Sequence, residues 1–127
     1  MVEAERKEIL QAHIQAGTHA ILADVLPSLG GENTGPNPHE LLESALAACT
    51  IITVQMYANR KAWPLRSTNV KVKIEVEGPQ SQILREISFE GDLDGEQKTK
   101  LLEIANKCPI HKLLQSQITV TTKTVSS

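Results

Sequence analysis

Aromatic side chains are nearly missing from this chain: Tyr57, Trp63 and Phe89 are the only three in 127 residues. That leaves no platform on which nucleobases stack, and it forces any core to be aliphatic. No sign of charge dominates either, with 13 basic against 15 acidic residues and a net charge of −2. The balance carries no footprint of a nucleic-acid binder or of a protein held on an anionic membrane. Cysteine is scarce, at Cys49 and Cys108 alone, and no Cys-x-x-Cys pair occurs. The first ten residues, MVEAERKEIL, are charged and lack an apolar signal region, so the expected location is cytoplasmic. Thiols are kept reduced there, and two cysteines point to chemistry or to chance before a structural staple. There is no internal repeat, low-complexity tract or linker, and 127 residues are most simply a single domain over 1–127.

What the chain does have is one long apolar segment, Gly35 to Trp63, around which the rest is arranged. Asn37-Pro38-His39-Glu40 reads as a helix start: Asn37 caps, Pro38 suits the first helical position, and Glu40 reaches back to the capping amide. From Ser44 to Asn59 no side chain is charged, and Leu42, Ala45, Leu46, Cys49, Ile52 and Met56 recur at three- and four-residue steps. A membrane span needs about 20 apolar residues, so a buried core helix fits this run better. It is expected to end near Arg60 or Lys61, ahead of Pro64.

On either side of the helix the pattern changes. Residues 3–15 carry good helix formers, and by propensity alone lean towards helix. Thr18 to Val25 alternates as a strand, and Leu26 to Pro38 is turn chemistry. In Asn69 to Glu77, Val70, Val72, Ile74 and Val76 face one way while Lys71, Lys73, Glu75 and Glu77 face the other. Gly78-Pro79 turns the chain into a second strand, LREISFEGDL, its antiparallel partner. Asp94 with Gln97 caps a second helix, on which Leu101, Ala105 and Cys108 share a stripe. A short turn after Pro109 and a closing strand, ITVTTKTV, complete an α+β order with helices on one face of an antiparallel sheet.

Two stretches are more specific. The segment G-x-N-P-x-E-L-L-x-x-A-L-A-A-C at Gly35–Cys49, followed by C-P-x-x-K-L-L at Cys108–Leu114, resembles the OsmC/Ohr family of thiol-dependent hydroperoxide reductases. The resemblance implies strands rather than helix in residues 3–15. It also implies an intertwined homodimer, in which an antiparallel sheet packs on a long central buried helix and both chains contribute sheets. For the site it implies that Cys49 reacts with the peroxide and that Cys108 resolves the product. A thiolate attacks the peroxide, the resulting sulfenic acid condenses with the second thiol, and a small or protein dithiol restores both. Neither cofactor nor metal is implied. Hydroperoxides would be the substrates, organic ones above all, in a pocket lined by Leu42, Leu46, Ile52, Met56 and Leu101.

The chain departs from the reductases in the groups that activate the thiol. Those enzymes use an Arg from the N-terminal strands, paired with a Glu directly after Asn-Pro. Here Thr18 to Pro38 contains no Arg, and the residue after Pro38 is His39. The carboxylate comes one place later, at Glu40, which is therefore a candidate catalytic residue and equally a candidate capping residue. Nine residues of helix rise about 13 Å, which separates Glu40 from Cys49 if both are helical. His19 is a candidate for the missing cation, and Arg60, Lys61 and Arg66 are candidates that would act across a dimer interface. Cys108 and His111, three apart, with Cys49 and His39 or His19, are weaker candidates for a zinc site, since no Cys-x-x-Cys supports them. The competing reading is a non-catalytic protein on the same scaffold that binds a small apolar or thiol-reactive ligand.

Overall fold

The computed structural model describes residues 1–125 and divides into two compact units, residues 1–44 and 45–127. The architecture is α+β: antiparallel strands in two sheets and one long helix, α1, that runs from the first unit into the second.

In the first unit β1 (Val2–Arg6), β2 (Ala12–Ala16) and β3 (His19–Ala23) form a three-stranded antiparallel sheet in that order. Glu3 pairs with Gln15 and Gln15 with Ala20, so the N-terminal segment is strand despite its helix-forming composition. Cross-strand pairing overrides intrinsic propensity here. Asp24, 2 % exposed, ties the following loop to the end of β3. Its carboxylate accepts the Val25, Glu32 and Thr34 amides at 2.7, 3.2 and 3.1 Å and the Thr34 hydroxyl at 2.6 Å. The Thr34 hydroxyl hydrogen bond and then the Thr34 amide outweigh burial and lower the Asp24 carboxyl to about 2. Gly35 follows, where a Cβ would lie 2.2 Å from the Leu22 carbonyl oxygen, so no larger residue fits.

Helix α1 spans Pro38–Lys61. Its start is a reciprocal capping box: the Glu40 amide donates to Asn37 Oδ1 at 2.8 Å and the Asn37 amide to Glu40 Oε1 at 3.0 Å. By length and composition α1 would also suffice to cross a membrane, and its most apolar stretch is only 22% buried within the single chain.

In the second unit β4 (Leu65–Val76) and β5 (Gln82–Gly91) make a long antiparallel hairpin. Exposure alternates residue by residue along β5, with Ile83, Arg85, Ile87 and Phe89 on the less exposed row. Helix α2 (Gly95–Ala105) begins at the Asp94–Gln97 capping box. Val54, Ala58, Leu65, Leu101, Ile104 and Ala105 form the core of this unit, with Tyr57, Trp63, Ile87, Phe89 and Leu93 packed against it.

Three expectations need correction. Pro109–Leu114 is a short helix, α3, rather than a turn, because Pro at the first position and a Cys108 cap favour it. Residues 118–125 are in no strand: their backbone pairs with no sheet edge among the described residues, and alternation without a partner makes no ladder. The residues expected to line an apolar pocket do not gather around one. Leu101 is fully buried in the core, while Leu42, Ile52 and Met56 are exposed.

Candidate functional site

Helix α1 buries the row Leu46, Thr50, Val54, Ala58 in the second unit, which leaves Cys49 beside that row and only partly covered. Cys108 ends the link after α2. Its amide donates to the Ala105 carbonyl at 3.3 Å, and its Sγ caps α3 by accepting the His111 amide at 3.4 Å. These positions bring the two sulfurs within hydrogen-bonding reach of each other. Both are thiols and Cys108 is fully buried.

The two acidities are pushed apart. Burial raises the Cys49 thiol, but the Cys108 thiol, the Ile110 amide, the Thr53 hydroxyl and the positive charge of Arg85 together outweigh it, and the net shift is downward. The Thr53 hydroxyl lies 3.9 Å from Cys49 Sγ. Cys108 moves upward, first through burial and then because its thiol donates a hydrogen bond to the Cys49 sulfur. Its gain from the His111 and Ile110 amides is too small to reverse this. The first proton therefore leaves Cys49, and Cys108 stays a donor, which is the arrangement nucleophilic attack by one sulfur requires. His111 is shifted towards its neutral form by burial and by Arg85.

Arg85 is the cation acting on both sulfurs, and it was missed in the sequence. It comes from β5 and not from the N-terminal strands, where the family resemblance directs attention. A basic residue on the inward row of an alternating strand, between Ile83 and Ile87, was the available signal. Arg66 pairs with Glu90 at 3.5 Å on the exposed side of the hairpin, Lys61 lies over the Tyr57 ring at 5.7 Å, and Arg60 is exposed. His19 begins β3 in the first unit and is exposed. Glu40 belongs to that unit as well, and its carboxylate is engaged at the Asn37 cap.

A cavity of about 400 Å³ has Arg85 and His111 in its wall together with Leu46, Ile83, Leu84 and Leu114, and neither cysteine lines it. Of the expected pocket residues only Leu46 contributes to it. Among the described residues no three His, Cys, Asp or Glu side chains converge as a metal-binding group.

No curated protein matches the sequence. Solved structures do match the fold. The OsmC-like protein of Mycoplasma pneumoniae superposes with a TM-score of 0.74 at 20% identity, over 91% of this chain and 86% of that one. The organic hydroperoxide resistance protein OhrB of Bacillus subtilis gives 0.65 at 20% identity, over 91% and 89%. An organic hydroperoxide resistance protein OsmC from Legionella pneumophila gives 0.67 at 19%, over 91% and 88%. Residues 31–123 match the family described as OsmC-like protein, a span that includes Cys49, Arg85 and Cys108. The chain belongs to the OsmC-like family.

Proposed function

We propose that this protein is a cytoplasmic thiol peroxidase that reduces organic hydroperoxides in oxidative-stress defence, working as a homodimer. The observation that carries the reading is the unequal thiol pair: against burial, the Cys49 thiol is lowered first by the hydrogen bond from Cys108, with the Ile110 amide, Thr53 and Arg85 adding to it, while Cys108 is raised. Kinship with proteins named for organic hydroperoxide resistance supports the choice of substrate.

In the proposed cycle the Cys49 thiolate attacks the outer peroxide oxygen and the O–O bond breaks. The alkoxide leaves and takes a proton to become an alcohol, and Cys49 becomes a sulfenic acid. Cys108 sulfur then attacks that sulfur, water departs, and a Cys49–Cys108 disulfide forms. A dithiol reductant restores both thiols by two exchange steps. The peroxide's organic part occupies the cavity walled by Leu46, Ile83, Leu84 and Leu114. Glu40 acts in this reading through the helix cap and does not touch the sulfur. Ile51, Ile52 and Met56, exposed on the single chain, are the face of α1 that a second copy covers.

The test is consumption of cumene hydroperoxide with dithiothreitol as reductant. Wild type is expected to turn over and Cys49→Ser to be inactive. Equal rates in the two proteins would leave the alternative, a scaffold that holds a small ligand in the same cavity without reaction.

A further inference from the structure

The positive charge that acts on Cys49 is itself held in an unusual way. Arg85 has five N–H donors, and three are used: Nη1 donates to Thr50 Oγ1 at 3.1 Å and to the Ala105 carbonyl at 3.2 Å, and Nη2 donates to Asn106 Oδ1 at 2.7 Å. Every acceptor is neutral. Among the described residues no carboxylate acts on it; the two sulfurs are the charges it feels. A carboxylate partner would neutralise the guanidinium where it stands, whereas neutral acceptors fix its position and leave its field to act on the thiols.

Each acceptor is suited to this. Thr50 is fully buried on α1, directly after Cys49. Its hydroxyl has one proton and gives it to the Leu46 carbonyl at 2.7 Å, so its oxygen presents a lone pair to Arg85. Ala105 is the last residue of α2 and Asn106 its C-cap, so Arg85 sits at the negative end of that helix. The Ala105 carbonyl also accepts the Cys108 amide, which fixes the backbone of the second cysteine and the guanidinium to one oxygen.

We propose that Thr50 and Asn106 are positioning residues for the reaction at Cys49, acting through Arg85 as a carboxylate-free clamp. The inference deepens the peroxidase reading and rests on it for the identity of the reaction. Its electrostatic content does not need peroxide, which allows the two to fail separately.

The experiment follows iodoacetamide alkylation of reduced full-length protein across pH, with the modified residue identified by peptide mass. The titrating and charged groups acting on Cys49 are Cys108 and Arg85, with His111 next to Arg85, and all three stay in place in the clamp variants. Thr50→Val keeps the shape and removes the hydroxyl, and is expected to slow Cys49 alkylation at pH 7 about tenfold, the worth of one hydrogen bond to a charged group. Thr50→Ser restores the hydroxyl and the rate. Asn106→Asp separates positioning from support: it keeps an acceptor for Nη2 and so preserves the packing. It adds the missing carboxylate, however, and is expected to slow alkylation and move its pH midpoint upward. Wild-type profiles in both Thr50→Val and Asn106→Asp would overturn the clamp. So would a slow Thr50→Ser, or an unchanged profile in Asn106→Asp even if Thr50→Val is slow. None of these results depends on whether the protein consumes hydroperoxide.

Discussion

Arg85 donates to Thr50 Oγ1 at 3.1 Å, which joins a cation on β5 to the residue directly after Cys49 on α1. That one bond links the two halves of the hairpin-and-helix unit at the place where its chemistry is set. The Arg85 charge adds to the Cys108 thiol, the Ile110 amide in the first turn of α3 and the Thr53 hydroxyl, which together outweigh burial and make a thiol in the middle of α1 more acidic than a free cysteine.

Removing the cation should therefore act on reactivity more than on folding. Arg85→Met is expected to slow peroxide reduction at pH 7 by about tenfold or more, consistent with the loss of a charged partner. The sign of the pH effect follows from the direction of the shift. Cys49 has its pKa lowered, so its rate rises with pH at lower values than for an ordinary thiol, and the variant's rise moves to higher pH. Stopped-flow rates across pH give the check.

Cys108 is expected to protect Cys49 rather than to attack the peroxide. In Cys108→Ser the first oxidation of Cys49 still occurs, but no thiol is adjacent to condense with the sulfenic acid. A sulfenic-acid trapping reagent should label this variant strongly and wild type weakly. Repeated peroxide doses should then carry the variant on to sulfinic acid.

Much of the fold is legible in the sequence, for local reasons. The Asn37–Glu40 and Asp94–Gln97 capping boxes, the alternating β4 and the end of α1 at Lys61 follow from side chains acting on near neighbours. The failures are where partners decide. Residues 118–125 alternate like a strand, but a strand exists only against another edge. On α1 nearly every position from Ser44 to Asn59 is apolar or neutral, so periodicity does not say which row turns inward. The buried row includes Thr50, while the apolar Ile52 and Met56 face outward. Arg85 was read as one residue of a strand, because its importance lies in three contacts 20 to 35 positions away.

Glu40 offers a clean separation of capping from catalysis. Glu40→Gln keeps the reach to the Asn37 amide and should change neither stability nor peroxide rate. Glu40→Ala should cost about 1 kcal/mol of stability with the rate retained. Loss of turnover in the Gln variant would return the carboxylate to the chemistry.

Asp24 should make the N-terminal unit acid-sensitive in a defined window. Its folded value, about 2, lies below the ordinary carboxyl value of 3.8, so its stabilising effect is complete above that ordinary value. The effect is lost as pH falls towards 2. Asp24→Asn should lower the thermal midpoint at pH 7, and the gap from wild type should narrow as pH is lowered through this range.

The apolar outer face of α1 predicts assembly. Ile52 and Met56 are each 57% exposed on one chain, and Ile52→Glu with Met56→Glu should convert a dimer to monomers in light scattering. Monomeric wild type at micromolar concentration would contradict the homodimer.

The most direct measurement is the intact mass and thiol count of reduced protein after one equivalent of cumene hydroperoxide. The account predicts a loss of two hydrogens per chain, both thiols consumed, and a peptide in which Cys49 is joined to Cys108. Two free thiols and an unchanged mass, at a peroxide concentration that oxidises an exposed cysteine, would contradict it.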